Sequence, residues 1–105
     1  QRKIKEEFAN AFEKCDVILT PVAPTTAYGL GAKTSNPLEM YAGDVCTVSV
    51  NIAGLPGLVQ PCGFDANKLP IGMQLIGPRF GEQKLLNAGL AFEQASGLRN
   101  IIAAL

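Results

Sequence analysis

Apolar residues at helical spacing mark two stretches, one near each end of the chain. Over 2–14 they recur every three or four positions, which predicts an amphipathic helix with the apolar residues Ile4, Phe8, Ala11, Phe12 and Cys15. A second pattern over 81–96 predicts another long helix, with Gly97 as its stop. The apolar face of this second helix is broad and consists of Leu85, Leu86, Gly89, Leu90 and Phe92. Each helix therefore has one side that needs a packing surface.

Three short apolar runs predict β-strands. The run 17–19 is apolar on both faces, so a buried parallel strand is expected there. Two more strands are predicted over 57–64 and 71–77. The intervening DANKLP supplies turn residues, so these two strands are expected to form a β-hairpin. Gln60 and Gln74 are the polar members of these otherwise apolar strands.

The middle of the chain combines a long loop with helical stretches. Prolines and glycines punctuate 21–37, and a loop of that length is usually functional or mobile. The residues of 38–53 predict helical stretches that share the apolar face Met40, Tyr41, Val45, Val48 and Ile52. The β-branched residues in 47–50 keep a strand open as the alternative. Gly54 suits the left-handed position that ends a helix.

These elements make an α/β chain with two long helices, a β-hairpin and one further strand. A length of 105 residues allows one domain at most, so 1–105 is treated as a single unit. Three strands are few for a sheet covered on both faces, and the apolar tail 101–105 needs a partner surface. We therefore expect one end of a larger sheet and interpret Gln1 as a cut within a longer chain. The isolated chain is expected to self-associate through its exposed strand edges.

Composition excludes several classes of function. Nine basic and nine acidic residues are scattered without a run, which argues against a nucleic-acid stripe or an anionic-membrane patch. No apolar segment is long enough to span a membrane. The chain has no histidine, so imidazole chemistry is excluded. Its three cysteines form no CxxC motif, and each is expected to be a small buried apolar residue in a reducing compartment.

Asp44 is the candidate binding residue. It lies near the start of a predicted helix, just after the Pro/Gly-rich loop. A carboxylate at a helix start ordinarily accepts main-chain N–H bonds, and the local sequence favours that interpretation. The alternative is a substrate-binding carboxylate that pairs with an ammonium group, for which an acceptor-only anion is needed.

No other residue suggests chemistry. Lys33 and Ser35 lie in the loop without an element to orient them, so a Ser–Lys nucleophile is not expected. Cys46 and Cys62 lack an activating His and are interpreted as core residues. The glycines of 29–36 do not match a phosphate-binding loop, because Ala32 separates Gly31 from the lysine. Acidic residues nowhere have metal-ligand spacing, so neither a metal site nor a catalytic residue is predicted in this chain.

Three segments resemble the amidase signature family. They are CDVILTPVAPTTA at 15–27, MYAGDVCTVSVNIAGLPGLVQPCG at 40–63 and PIGMQLIGPRFGEQKLLNAGLAFEQ at 70–94. They occur in order with family-like gaps and cover nearly the whole chain. The MYxxD run, the PCG and the QLIG are similar to the branch of the family that forms the A (glutaminase) subunits of tRNA-dependent amidotransferases.

The resemblance implies a C-terminal part of an α/β/α amidase domain with a central mixed sheet covered by helices. Family members hydrolyse amides with a Ser–cis-Ser–Lys triad that no residue here matches, so the triad is expected upstream and this chain alone is expected to be inactive. In the A-subunit branch, an aspartate at the position of Asp44 contacts the α-amino group of glutamine. The ammonia released passes to a B subunit, which uses ATP and Mg²⁺ to amidate Glu-tRNA(Gln) or Asp-tRNA(Asn), and a C subunit wraps the pair.

Two alternatives remain open. One is another amidase signature hydrolase that acts on small or lipid amides, and the other is a non-catalytic interaction module. A glutamine site needs partners for both an ammonium and a carboxylate, whereas a lipid amide needs an apolar channel, so Asp44 favours glutamine. The cytoplasm is the expected location of the whole enzyme, with an organelle as the alternative.

Overall fold

The computed structural model describes residues 1–30 and 44–98. Their elements, in chain order, are α1 (Arg2–Phe12), β1 (Ile18–Pro21), α2 (Val48–Ala53), β2 (Gly57–Phe64), β3 (Pro70–Ile76) and α3 (Glu82–Ser96). Several features of the sequence lie outside the described residues, namely the loop residues Lys33 and Ser35, the helix-face residues Met40 and Tyr41, and the apolar tail 101–105.

The three described strands form one antiparallel sheet in the order β1-β3-β2. The predicted hairpin is confirmed, with β2 over the predicted range and β3 shifted by one residue. In the register, Leu75 of β3 lies between Leu19 of β1 and Leu58 of β2. A shift between Pro61 and Gly63 leaves Cys62 as the extra residue of a β-bulge. β3 is thus the central strand, with a neighbour on each side.

The expectation of a buried parallel strand over 17–19 is wrong. β1 pairs antiparallel with β3 at the edge of the described sheet, and its residues alternate between half-buried and exposed. Leu19 is 64% exposed. The physical reason is that α3 packs mainly on β2 and β3, which leaves Leu19 of β1 largely exposed. The apolar residues of 17–19 indicate that both faces of this strand are suited to burial. They do not indicate which element packs on either face.

One face of the sheet carries the core of the described chain. Met73 and Leu75 of β3 are buried against Leu85 of α3, and Leu58 of β2 packs at the margin of this cluster. Gly89 lets α3 approach closely, because a Cβ there would collide with the Leu58 side chain. The predicted helix is confirmed over Glu82–Ser96, although only part of its apolar face is covered.

On the opposite face of the sheet, α2 lies near the start of β2. Adjacent residues of a strand point to opposite faces, so Gln74 and Ile76 lie on the side away from α3. Val50 of α2 lies near Gly57 on that same side, at 3.7 Å from where a Cβ of Gly57 would be. α1 packs in turn on α2. Helices therefore lie on both faces of the sheet, as the α/β/α expectation requires.

The two long helices follow their predicted patterns more closely than α2 does. All four apolar residues predicted for the face of α1 within its bounds are half-buried, and Phe8 stacks on Phe12 at 6.5 Å between ring centroids. In α2 the predicted face is wrong, since Val48 and Ile52 are exposed while Val50 and Ala53 are buried. The cause is that 44–47 form a turn and α2 begins only at Val48, so one continuous helical spacing does not run from Val45 to Ile52.

Glycines end two helices in the left-handed conformation, which was predicted for Gly54, whereas Gly97 was predicted only as a helix stop. Gly54 has φ of 70° after α2 and Gly97 has φ of 72° after α3. A side chain is strained at such φ values, whereas glycine is not. Both helix ends are therefore fixed by local sequence.

A carboxylate network closes the hairpin turn between β2 and β3. One oxygen of Asp65 accepts main-chain N–H bonds from Asn67 at 2.8 Å and Leu69 at 2.9 Å. The other accepts the Thr26 hydroxyl at 2.7 Å and so ties the loop after β1 to the turn. The pKa of Asp65 lies below its ordinary value, mainly because of the bond from Thr26 and secondly because of the bond from Leu69.

Replacing Thr26 with Val is expected to raise the pKa of Asp65 toward its ordinary value of about 3.9. A carboxyl group with a lowered pKa stabilises the folded state above its unfolded pKa, and this stabilisation is lost as the pH falls through the folded pKa. Below about pH 4, the free energy of unfolding should therefore increase less steeply with pH in Thr26→Val than in the wild type. An NMR titration of the Asp65 carboxyl carbon measures the shift. Thr25→Val, at the exposed neighbouring position, is the matched control, and an equal pKa in both variants contradicts the assignment.

Candidate functional site

Asp44 begins a turn that leads into α2. Its main-chain carbonyl accepts N–H bonds from Thr47 and Val48, both at 3.1 Å, and the Thr47 hydroxyl at 3.2 Å. The residue immediately before the helix is Thr47, and no side chain caps the first turn. Among residues 1–30 and 44–98, no N–H group of this turn donates to the Asp44 carboxylate, so the described structure does not support the helix-terminus interpretation.

The carboxylate of Asp44 is exposed. Among residues 1–30 and 44–98, no side chain and no main-chain N–H group forms a hydrogen bond or an ion pair with the Asp44 carboxylate. Deprotonated, it is an acceptor-only group with capacity for several donors. Such a group on a fixed turn is suited to bind an ammonium or guanidinium group of a ligand.

A buried amide lies between this turn and the sheet. The Gln74 side chain is 3% exposed, and its Nε2 donates to the carbonyl oxygen of Cys46 at 3.0 Å and to the Thr20 hydroxyl at 3.1 Å. A main-chain carbonyl only accepts, so the nitrogen of the amide must face Cys46. Thr20 in turn donates its own hydroxyl to the Pro21 carbonyl at 2.9 Å. The turn that begins at Asp44 is thus bonded to the central strand.

The amide of Gln74 is a site feature that the sequence did not reveal. Its only signal was a polar residue in an otherwise apolar strand. Gln60 gave the same signal, but its Nε2 donates to the Gly89 carbonyl of α3 at 3.2 Å, away from Asp44. The partners of Gln74 lie 28 and 54 residues away along the chain, so spacing alone does not identify them.

The cysteines are not the buried residues expected from the sequence. Cys15 and Cys62 are exposed and Cys46 is half-buried. Cys62 is exposed because it is the extra residue of the β-bulge, and Cys15 follows the end of α1. Neither Cys46 nor Cys62 meets an imidazole, since the chain has none.

Other features of the described residues do not form a second site. A cavity of about 500 Å³ lies between α1 and the loops at 54–55 and 78–79, with Lys5 and Arg79 at its rim, and it does not include Asp44 or Gln74. Within 1–30 and 44–98, no three metal-ligating side chains come together. In the same part of the chain, no helix is both long and apolar enough to cross a membrane.

The family model for Amidase matches residues 1–86, which include the strands, α1, α2 and Asp44. The chain belongs to the amidase family. It is 61% identical over 94 residues to the A subunit of the glutamyl-tRNA(Gln) amidotransferase of Lachnospira eligens, and the match covers 90% of this chain and 20% of that protein. The corresponding protein of Thermosynechococcus vestitus is 56% identical over 93 residues, which are 89% of this chain and 19% of that protein. The resemblance to the A-subunit branch is confirmed.

Solved structures of the amidase family have the same fold. The glutamyl-tRNA(Gln) amidotransferase A subunit of Thermotoga maritima matches with a TM-score of 0.70 and 44% identity, over 75% of this chain and 17% of that one. The allophanate hydrolase of Kluyveromyces lactis matches with a TM-score of 0.81 but 26% identity, over 97% of this chain and 17% of that one. The chain spans about a fifth of the length of the curated relatives it matches.

Proposed function

We propose that this chain forms part of the glutamine site of a glutaminase subunit, in which Asp44 binds the α-ammonium group of glutamine. The observation that carries the proposal is the exposed carboxylate of Asp44, which has no recorded partner among the described residues and lies on a turn that the sheet holds in place. The resemblance to A subunits implies an aspartate with this contact at this position. In the whole protein, glutamine and water are converted to glutamate and ammonia.

The role of this chain in that reaction is binding. An exposed carboxylate that pairs with the α-ammonium fixes the orientation of glutamine and thereby the position of its side-chain amide. Glutamine also needs a partner for its α-carboxylate and a nucleophile for its amide. The Ser–cis-Ser–Lys triad that the family resemblance implies matches no residue of this chain. The nucleophile, the base and the partner of the α-carboxylate are therefore assigned to other parts of the full-length protein.

The chain alone is expected to release no ammonia from glutamine, because binding without a nucleophile does not hydrolyse an amide. The full-length protein that carries it, isolated with its partner subunits, is expected to release ammonia at a measurable rate. Coupled ammonia assays on both samples at equal concentration compare the two rates. Turnover by the 105-residue chain contradicts the assignment of the triad, and absence of turnover in the full-length complex contradicts the glutaminase function.

The wider function proposed is that of a tRNA-dependent amidotransferase, a carbon–nitrogen ligase with glutamine as amido donor. Its glutaminase subunit supplies ammonia to a B subunit, which uses ATP and Mg²⁺ to amidate Glu-tRNA(Gln) or Asp-tRNA(Asn), and a C subunit is the third partner. The names of the relatives support the glutamyl-tRNA(Gln) substrate. The cytoplasmic or organellar location, and self-association of the isolated chain, stay predictions.

A second candidate is another amidase signature hydrolase, supported by the higher TM-score of the allophanate hydrolase. Backbone similarity measures the fold, whereas activity depends on site residues. Sequence identity, at 44% against 26%, supports the glutaminase branch of the amidotransferases as the first candidate. Ammonia release from allophanate with none from glutamine is the result that favours the second candidate.

A further inference from the structure

We propose that Gln74 is a positioning residue for the glutamine site and acts through Asp44. The inference rests on the proposed function, because it assumes that the Asp44 carboxylate binds the α-ammonium of the substrate. Gln74 itself contacts no substrate in this account. Its side chain is buried and bonds to the main chain two residues beyond Asp44.

The hydrogen bonds form a chain of contacts from the sheet to the carboxylate. Gln74 donates to the Cys46 carbonyl at 3.0 Å, and Cys46 lies within the turn that Thr47 and Val48 close on the Asp44 carbonyl. Among residues 1–30 and 44–98, no other sheet side chain donates a recorded bond to this turn. The position of the Cys46 carbonyl therefore limits how far the Asp44 main chain can rotate.

Thr20 fixes the amide of Gln74. The two residues are direct register partners on β1 and β3, so their side chains lie on the same face of the sheet. The Thr20 hydroxyl accepts one N–H of the amide at 3.1 Å, which leaves the other N–H directed at Cys46. Both N–H groups of the amide are thus used, and loss of either bond frees the amide to rotate.

The matched control is Gln60. It is the same residue type on the neighbouring strand, and its amide also donates to a main-chain carbonyl, that of Gly89, at 3.2 Å. That bond joins β2 to α3 on the opposite face of the sheet and has no link to Asp44. Gln60 is half-buried and Gln74 is buried, so Gln60→Met tests for the loss of an amide–carbonyl bond elsewhere in the sheet. Displacement of Asp44 is expected only from the change at Gln74.

The test uses Gln74→Met, Thr20→Val, Gln60→Met and Asp44→Asn in the full-length protein with its partner subunits. The measured quantities are kcat and KM for glutamine and the inhibition constant of glutaramate, the analogue that lacks the α-ammonium. Gln74→Met is expected to raise KM for glutamine by on the order of tenfold, since small displacements of a binding group have large effects. Its kcat and the inhibition constant of glutaramate should change little, and Gln60→Met should leave all three near wild type.

The double variant Asp44→Asn with Gln74→Met is expected to have the KM of Asp44→Asn alone, because Gln74 acts only through the carboxylate. Thr20→Val removes the bond that fixes the amide and the local bond from Thr20 to the Pro21 carbonyl, but it leaves the bond from Gln74 to Cys46 in place. It is expected to raise the same KM by a smaller factor, and it serves as the test of the inference if Gln74→Met does not fold. Equal changes for glutamine and glutaramate, or additive changes in the double variant, overturn the inference. An unchanged KM for glutamine in Asp44→Asn overturns the proposed function itself and this inference with it.

Discussion

Replacing Asp44 with Asn in the full-length enzyme is expected to raise KM for glutamine roughly ten- to hundredfold, with a much smaller change in kcat. Asn keeps the shape of the side chain but cannot form a charged pair with an ammonium group. Hydrogen bonds to charged groups contribute about 1.5–3 kcal/mol, and about 1.36 kcal/mol corresponds to a factor of ten. Because the contact is present in both ground state and transition state, its loss appears mainly in KM.

Asp16→Asn is the matched control for this prediction. The Asp16 carboxylate is also exposed, at 88% of its side chain, and its recorded partner is the exposed Lys84 at 3.7 Å. Exposed ion pairs of this kind contribute little to stability. Asp16→Asn should therefore leave both kinetic constants near wild type. Similar kinetic constants for the two variants contradict a specific role for Asp44.

Truncating Leu85 to Ala is expected to have the largest effect on stability among single changes in α3. The side chain is 3% exposed and packs against Met73 and Leu75 of the central strand. Leu-to-Ala changes at buried positions typically cost about 2–5 kcal/mol, through lost burial and the cavity that remains. Denaturant unfolding of the full-length protein measures the change in the free energy of unfolding.

Leu86→Ala provides the comparison for Leu85. Leu86 is the next residue of the same helix, but it is 58% exposed in this chain. Its truncation removes little buried surface here, and Ala is the better helix former, so a much smaller loss is expected. If both variants lose the same free energy of unfolding, the finding that Leu85 is buried in the core and Leu86 is not is contradicted.

Local patterns were sufficient for the elements of this fold. The apolar spacing predicted α1 and α3, and the hairpin followed from two apolar runs around DANKLP. Gly54 and Gly97 end their helices as predicted, Gly54 in the expected left-handed conformation. Each of these features depends on residues that are close in sequence. The side-chain period and the preferred backbone angles then determine the result.

The errors arose where distant parts of the chain meet. Whether Leu19 is covered depends on how far α3 extends across the sheet, and the exposure of Cys62 depends on a register shift against β3. Neither is visible in the local sequence. For the site, the sequence and its family resemblance predicted Asp44, but the bonds that its main-chain carbonyl accepts from Thr47 and Val48 were not predicted. The role of Gln74 required the positions of two residues far from it in sequence.

The most direct test of the central claim is the preference of the enzyme for the α-ammonium group of its substrate. We would determine KM for glutamine and the inhibition constant of glutaramate in the full-length wild type and in Asp44→Asn. If Asp44 binds the ammonium group, the wild type strongly prefers glutamine, and Asp44→Asn loses most of that preference through KM for glutamine alone. If the variant keeps the wild-type ratio of the two constants, Asp44 does not bind the α-ammonium and the proposed site is wrong.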